Sequence, residues 1–179
     1  MKVVPLDVGC QPSPSGAREV VVASQSSTLV MFMAIDTRTG EGLLEDKKVA
    51  IVECVNCRQS RQGYPNDEGR QEHPLWKAGL SQFFGICEVR ESQWAAAVQK
   101  QIDDSARRIW GPHYEQAYQR GSGLRAGRPR HFIFMFKETT FECLASELSL
   151  TLYEGSYEEA LQTMVAKAYP SPQPRPRSP

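Results

Sequence analysis

The segment from 58 to 73 holds most of the side chains that could form a site. It reads Arg-Gln-Ser-Arg-Gln-Gly-Tyr-Pro-Asn-Asp-Glu-Gly-Arg-Gln-Glu-His. Its arginines could clamp an anion, its tyrosine offers a hydroxyl and a flat ring, and its acids and histidine could transfer protons. Functional residues concentrate on polar loops, although any solvated loop is also charged. We expect a ligand or partner to contact these residues of the loop: Arg58, Arg61, Tyr64, Asn66, Asp67 and His73.

Carboxylates on half-apolar strand faces form a second candidate group. Glu142 shares a face of a predicted hairpin with His131, and Glu53 shares a strand face with Val49 and Ile51. Apolar cover raises the pKa of a carboxyl group, which suits general acid or base catalysis. The two glutamates would form an acid/base pair if their strands were neighbours. The alternative is that they are edge-strand glutamates that prevent aggregation of the sheet.

Cys54-Val-Asn-Cys57 has the spacing of a redox or metal-binding pair. No second pair follows at zinc-ribbon spacing, because Cys10, Cys87 and Cys143 are isolated in the sequence. A redox pair of this kind also belongs at a helix N-terminus, whereas Cys54 continues a strand. Strand alternation would place Cys57 on the opposite face. The sequence therefore predicts two free thiols in a reducing compartment, with neither a metal site nor a cofactor.

Composition excludes other classes of function. The 21 basic and 21 acidic residues cancel, so nothing in the overall charge favours nucleic acid. The stretch 120–130 has four arginines and three glycines, but it lacks the aromatic residues of single-strand binders. No apolar run approaches the ~20 residues of a membrane span, and no signal peptide is recognisable. We expect a cytoplasmic protein that contacts neither membrane nor nucleic acid.

The candidate residues must be positioned by strands and two helices. Alternating apolar residues predict strands at 18–24, 28–35, 48–54 and 83–89. Strands at 131–137 and 140–145 flank Glu138-Thr139, and a two-residue turn there would pair Phe136 with Phe141. One face of this hairpin is then aromatic and must be core. Alternation changes parity near 146–147, which predicts a bulge or a strand break.

Two helices complete the prediction. One begins at Ser92 and carries an apolar stripe to Ile109, and the other begins with a capping box of Ser156 and Glu159. We predict an α+β fold with a mainly antiparallel sheet of about six strands packed against two helices. A single domain would span 18–169, between a flexible segment 1–17 and a disordered proline-rich tail 170–179.

Function is less constrained than fold. Because no assembled catalytic motif is visible, the sequence favours a small binding or interaction protein of bacterial type. Its partner would be another protein, a small molecule or a second copy in a homodimer. The alternative is a small enzyme with Glu142, Glu53 or His131 as acid and base and the 58–73 loop contacting substrate. An enzyme requires a concave pocket in which two such groups meet. A binding protein should instead have a flat apolar patch or a symmetric contact between two copies of the chain.

Overall fold

The computed structural model describes residues 1–24, 27–37, 47–113 and 127–170. The predicted tail lies outside these ranges except for Pro170, as do residues 120–126 of the arginine- and glycine-rich stretch. The strands of the described ranges are β1 (Lys2–Pro5), β2 (Cys10–Pro12), β3 (Val20–Ala23), β4 (Thr28–Asp36), β5 (Lys47–Val55), β6 (Gln59–Gly63), β7 (Ile86–Arg90), β8 (Arg130–Met135), β9 (Thr140–Ala145) and β10 (Glu147–Tyr153). In the same described ranges, the α-helices are α1 (Gln93–Trp110) and α2 (Tyr157–Ala168), and short 3-10 helices span Arg70–Glu72, Trp76–Ala78, Leu80–Gln82 and Gly111–His113.

The strands form two antiparallel sheets. Sheet A has the order β1-β7-β8-β9-β6, and sheet B has the order β10-β5-β4-β2, with β3 also paired to β4. The α+β class and the antiparallel pairing are confirmed. The described residues form ten strands in two sheets, whereas the prediction was about six strands in one sheet. Residues 1–17 supply β1 and β2, so this segment is part of the sheets and not a flexible extension. These strands and β6 are too short for alternation to reveal them.

The two sheets pack face to face around an aromatic core. Phe132, Phe134, Phe136 and Phe141 are at most 1 % exposed, as the sequence predicts. From sheet B, the core receives Phe32, whose ring centroid lies 5.5 Å from that of Phe136. Burial of this apolar surface is the main force that holds the sheets together.

The hairpin of β8 and β9 has a register two residues away from the predicted one. Phe134 pairs with Phe141, and Phe132 pairs with Cys143. The turn is displaced by one residue from the predicted Glu138-Thr139, because Phe136 N–H donates to Thr139 O at 3.0 Å across Lys137 and Glu138. A shift of two residues keeps every side chain on its face, whereas a shift of one would exchange core and surface. The prediction of the buried face therefore survives the wrong register.

The parity change near 146–147 marks the point where the chain leaves sheet A for sheet B. Ala145 ends β9, and β10 begins at Glu147 in the other sheet. Ala145 is buried in the shared core, and Leu148 packs against the same core from the opposite side. The predicted strand break is confirmed.

Helices and turns cover the outer faces of the sandwich. On sheet B, Ala160, Met164 and Ala168 of α2 pack on a cluster that includes Leu29 and Met31. On sheet A, the segment with the 3-10 helices contributes Leu75 and Leu80 to a second cluster. Helix α1 contacts β8 beside this segment. The space between α1 and the 3-10 segment, on the outer face of sheet A, contains the candidate site.

Candidate functional site

Glu142 lies at the centre of the site and is positioned by its strand. It is on β9, an inner strand between β8 and β6, with its side chain on the outer face of sheet A. The edge-strand alternative for Glu142 is therefore wrong. Residues 59–63, predicted as part of a loop, form strand β6, and its register places Arg61 opposite Glu142. Backbone pairing thus fixes the distance between these two charged side chains.

The carboxylate of Glu142 accepts hydrogen bonds from three side chains. Arg61 Nε donates to Oε1 at 2.6 Å, and His131 Nε2 donates to Oε2 at 2.8 Å. His73 Nε2 lies 3.5 Å from Oε1. Burial alone would raise the pKa of Glu142, but hydrogen bonds from His131 and His73, with the charge of Arg61, hold the pKa well below its usual range. Glu142 is therefore an ionised acceptor and not the general acid or base that the sequence suggests.

His73 supports Glu142 and has both ring nitrogens in use. The Leu75 N–H donates to Nδ1 of His73 at 3.1 Å, so this nitrogen carries no proton. The proton of the ring is then on Nε2, which faces Glu142. Since His73 is only 4 % exposed, it acts as a buried donor to the carboxylate.

His131 connects Glu142 to Ser92, which begins helix α1. The Oγ of Ser92 lies 2.9 Å from Nδ1 of His131, on the opposite side of the ring from Glu142. Ser92 is the N-cap of α1, and its Oγ accepts the N–H of Ala95 at 3.2 Å. Ser92 and His131 are 7 % and 4 % exposed. Three side chains from β9, β8 and the start of α1 therefore form a continuous chain of hydrogen bonds.

The donors and acceptors along this chain can be assigned. Because Glu142 is ionised, it accepts from Nε2–H of His131. In the neutral ring with its proton on Nε2, Nδ1 is an acceptor, so the Ser92 hydroxyl donates to it. His131 is thus oriented as a base toward the serine hydroxyl, with a carboxylate behind it. Serine proteases have the same three roles, with the two ring nitrogens exchanged.

Trp94 packs beside this chain of hydrogen bonds. Its ring meets the His131 ring edge-on, with 5.1 Å between centroids, and the guanidinium carbon of Arg61 lies 4.8 Å from the Trp94 centroid. The indole N–H of Trp94 donates to Oε1 of Gln59 at 2.7 Å. The tryptophan therefore fixes α1 against β6 and holds its ring against His131 and the guanidinium of Arg61.

Two concave spaces adjoin the site. A groove of about 720 Å³ includes Ser92 and His131 in its wall and continues along Ala95, Ala96 and Gln99 of α1. A pocket of about 240 Å³ on the other side of Glu142 is lined by residues that include Arg61, Tyr64, His73, Thr140 and Glu142. Ser92 and His131 border the groove, and Arg61, His73 and Glu142 border the pocket, so polar groups of the site line both spaces.

The other residues predicted from the 58–73 segment have structural partners or lie apart. Asn66 Oδ1 accepts the N–H of Gly69 at 3.0 Å, and the Asp67 N–H donates to Lys137 O at 2.9 Å. Tyr64 is 66 % exposed at the mouth of the smaller pocket. The N–H of Arg58 bonds to Leu144 O, and its side chain lines a separate groove beneath the second half of α1.

Glu53 is not part of the site. It lies on β5 of sheet B, and Lys167 of α2 approaches its carboxylate at 2.6 Å. Its strand pairs with β4 and β10, whereas Glu142 belongs to sheet A. The two carboxylates occupy opposite outer faces of the sandwich, so they do not form the predicted acid/base pair.

Ser92 is not among the site residues predicted from the sequence. The sequence identifies it only as a helix start, and no glycines flank it. Glu91, with a φ of 55°, takes the left-handed conformation that a glycine would normally supply between strand β7 and helix α1. This turn is visible only in the structure, because the local sequence accounts for Ser92 as a helix cap.

Comparison of the chain with protein-family models, curated proteins and solved structures finds no match. In the described part of the chain, the two long helices are too short or too polar to cross a membrane. Within the same ranges, no three His, Cys, Asp or Glu side chains are arranged to hold a metal ion. Any functional assignment therefore depends on the geometry of the site.

Proposed function

We propose that the protein is a small serine hydrolase in which Ser92 is the nucleophile, His131 the general base and Glu142 the carboxylate that orients His131. The observation that carries this proposal is the hydrogen-bonded chain, with distances of 2.9 Å from Ser92 to His131 and 2.8 Å from His131 to Glu142. General-base assistance to a serine hydroxyl needs contacts of this length.

The reaction would proceed through an acyl-enzyme. Ser92 Oγ attacks the carbonyl carbon of an ester while its proton passes to Nδ1 of His131. The resulting imidazolium is stabilised by Glu142 at Nε2 and gives the proton to the leaving alcohol. Water, deprotonated by His131 in turn, then releases the acid and restores the serine hydroxyl. The products are one acid and one alcohol for each water consumed.

The start of helix α1 supports the same assignment. The first N–H groups of a helix lack carbonyl partners within the helix, and the N-terminal end carries partial positive charge. A negative charge that develops on the carbonyl oxygen beside Ser92 would lie near the N–H groups of Gln93 and Trp94. Such donors are a large source of transition-state stabilisation in acyl transfer.

Reaction with a fluorophosphonate tests the proposal. The serine oxygen displaces fluoride, so the label should be found on Ser92 by mass spectrometry, and Ser92→Ala should abolish both labelling and hydrolysis of p-nitrophenyl esters. His131→Gln should lower kcat by ~10²–10⁴, the usual contribution of a general base. Labelling of another residue, or the same ester turnover in Ser92→Ala, would exclude a serine hydrolase.

The matched control is Ser156→Ala. Ser156 is the N-cap of α2 and makes the corresponding bond to Glu159 N–H, so its loss weakens a helix end without touching the site. Each cap substitution costs ~1 kcal/mol of stability. Equal loss of labelling in both variants would show that Ser92 matters only as a cap.

A binding role, favoured by the sequence, is the second candidate. The observation for it is a groove of about 410 Å³ beside Ile109 and Trp110, which are 73 % and 42 % exposed, with Arg58 on its rim. Because the described residues give no indication of what would occupy this groove, the hydrolase is the better supported function.

A further inference from the structure

The neighbouring Cys54 and Cys57 meet Cys143, which is distant in the sequence, at one end of the sandwich. Cys54 ends β5, Cys143 lies on β9 of the other sheet, and the Cys143 thiol donates to Cys54 Sγ at 3.5 Å. Cys57 joins them, contrary to the sequence prediction that it faces away. Asn56 has a φ of 53°, which ends the strand alternation and turns the chain back, so that Cys57 N–H donates to Cys54 O at 3.2 Å. We call Cys54, Cys57 and Cys143 the thiol cluster.

The members of the thiol cluster differ in acidity. A hydrogen bond from Cys143 is the main cause that lowers the pKa of Cys57 to about 7, with burial opposing it and bonds from Thr28 and the Gln59 backbone assisting. Hydrogen bonds with Cys54 and Cys57, together with burial, raise the pKa of Cys143 well above its usual range. At neutral pH, Cys57 is therefore partly ionised to the thiolate, whereas Cys143 keeps its proton.

The three cysteines of the thiol cluster also differ in their exposure to solvent. Cys57 is half-buried at the corner between β5 and β6, whereas Cys54 and Cys143 are at most 1 % exposed. A small oxidant therefore meets Cys57 first. Elsewhere in the described chain, Cys87 is fully buried, and burial raises its pKa to about 11, which makes it a poor nucleophile.

We propose that Cys57 is a site of oxidation by hydroperoxides and that Cys143 resolves the product as a disulfide between the two sheets. The Cys57 thiolate attacks the peroxide and breaks its O–O bond, giving a sulfenic acid and hydroxide, or an alkoxide from an organic peroxide. Cys143 then attacks the sulfenic sulfur, the S–O bond breaks and water leaves. One peroxide is reduced by two electrons for each disulfide formed.

The fold brings the two cysteines of this disulfide to the same corner. The sulfur atoms must come to about 2 Å, and Cys57 packs against the buried core residues that include Cys143. Residue 57 precedes β6, which pairs with β9 so that Ser60 lies opposite Cys143. The thiol cluster is on the inner face of β9 and the proposed nucleophile is beyond its outer face, so the two chemistries are separable.

The test treats the native full-length protein with one equivalent of hydrogen peroxide and maps disulfides by mass spectrometry. We expect a Cys57–Cys143 bond. In Cys143→Ser, the sulfenic acid should persist at Cys57 and react with dimedone. Cys57→Ser should lower the rate of thiol loss at least ~10-fold, because the remaining thiols are protonated or buried. Cys87→Ser is the matched control and should oxidise like the wild type.

Several results would overturn the proposal. These are a Cys54–Cys143 bond that forms equally fast in Cys57→Ser, first reaction at Cys10 or Cys87, and no reaction with peroxide. If a serine variant fails to fold, alkylation of native wild-type protein with iodoacetamide replaces it, and Cys57 must then be modified first. Ser92→Ala should oxidise normally, so failure of the hydrolase proposal leaves this test intact.

Discussion

Replacement of Glu142 by glutamine changes one acceptor of the site into a donor without changing the shape of the side chain. Oε1 accepts from Arg61 and His73, so the amide oxygen is expected there, and the NH2 group turns to Nε2 of His131. That nitrogen must then be an acceptor. The proton of His131 moves to Nδ1 and points at Ser92, whose hydroxyl loses its base.

The expected magnitudes follow from these contacts. Ester hydrolysis should fall by about 10⁴ in kcat, since the corresponding amide replacement in a Ser–His–Asp triad has this effect through the same tautomer change. The variant also loses a buried charge-assisted bond of 2.8 Å, worth ~1.5–3 kcal/mol. The Arg61 pair adds little, because that side chain is 59 % exposed. The Tm should fall by roughly 3–12 °C at 2–4 °C per kcal/mol.

Nitrogen-15 NMR of the histidine rings measures the tautomer directly. His131 should carry its proton on Nε2 in the wild type and on Nδ1 in Glu142→Gln. Glu88→Gln is the control, because Glu88 pairs with Arg130 at 2.8 Å on the same sheet and does not bond to His131. An unchanged tautomer in Glu142→Gln would refute the assigned network. A reversed tautomer with unchanged hydrolysis would refute the catalytic role.

Two further predictions concern stability. Phe134→Ala should lower the free energy of unfolding by ~3–5 kcal/mol in urea titrations, because the ring is fully buried against Phe32 and Phe141. The control Ile109→Ala, at a site that is 73 % exposed, should change this free energy by less than ~0.5 kcal/mol. Similar losses in both variants would contradict the assignment of Phe134 to the core. The pKa of Glu142 is lower in the folded than in the unfolded chain, so the unfolded chain takes up this proton first as the pH falls. The contribution of Glu142 to stability is therefore full above the ordinary pKa of 4.5 and is lost as the pH falls through the folded pKa. In unfolding titrations from pH 7 to about pH 3, the free energy of unfolding should decline less steeply for Glu142→Gln than for the wild type. Equal slopes would show that this carboxylate does not stabilise the fold.

The candidate site could be predicted in part from the sequence. The residue types of Arg61, His73, His131 and Glu142 identify groups that transfer protons or bind charge, and the structure brings these four together. Their roles could not be predicted, because a pKa depends on partners that are distant in the chain. Glu142 accepts from His131 and His73 and meets Arg61, which is 81 residues away, and together these contacts keep it ionised.

Ser92 and the thiol cluster show the same limit more clearly. Ser92 reaches His131 across 39 residues, and Cys54 reaches Cys143 across 89. Each residue has an ordinary local role, as a helix cap or a strand residue, which fully accounts for its sequence context. Their chemistry arises from pairing between strands and packing between sheets, and neither leaves a signal in a single sequence.

Neighbouring residues specify the local features of this protein: most of the antiparallel strands, the buried phenylalanine face and the helix starts at Ser92 and Ser156. These depend on alternation with a period of two and on capping within one helical turn, so neighbouring residues are sufficient to specify them. The tertiary structure decided the register of β8 with β9, the division into two sheets and the strand β6. A two-residue slip preserves each face, and the polar β6 gains its hydrogen bonds from β9. The positions of the catalytic candidates and of the thiols follow from those long-range pairings.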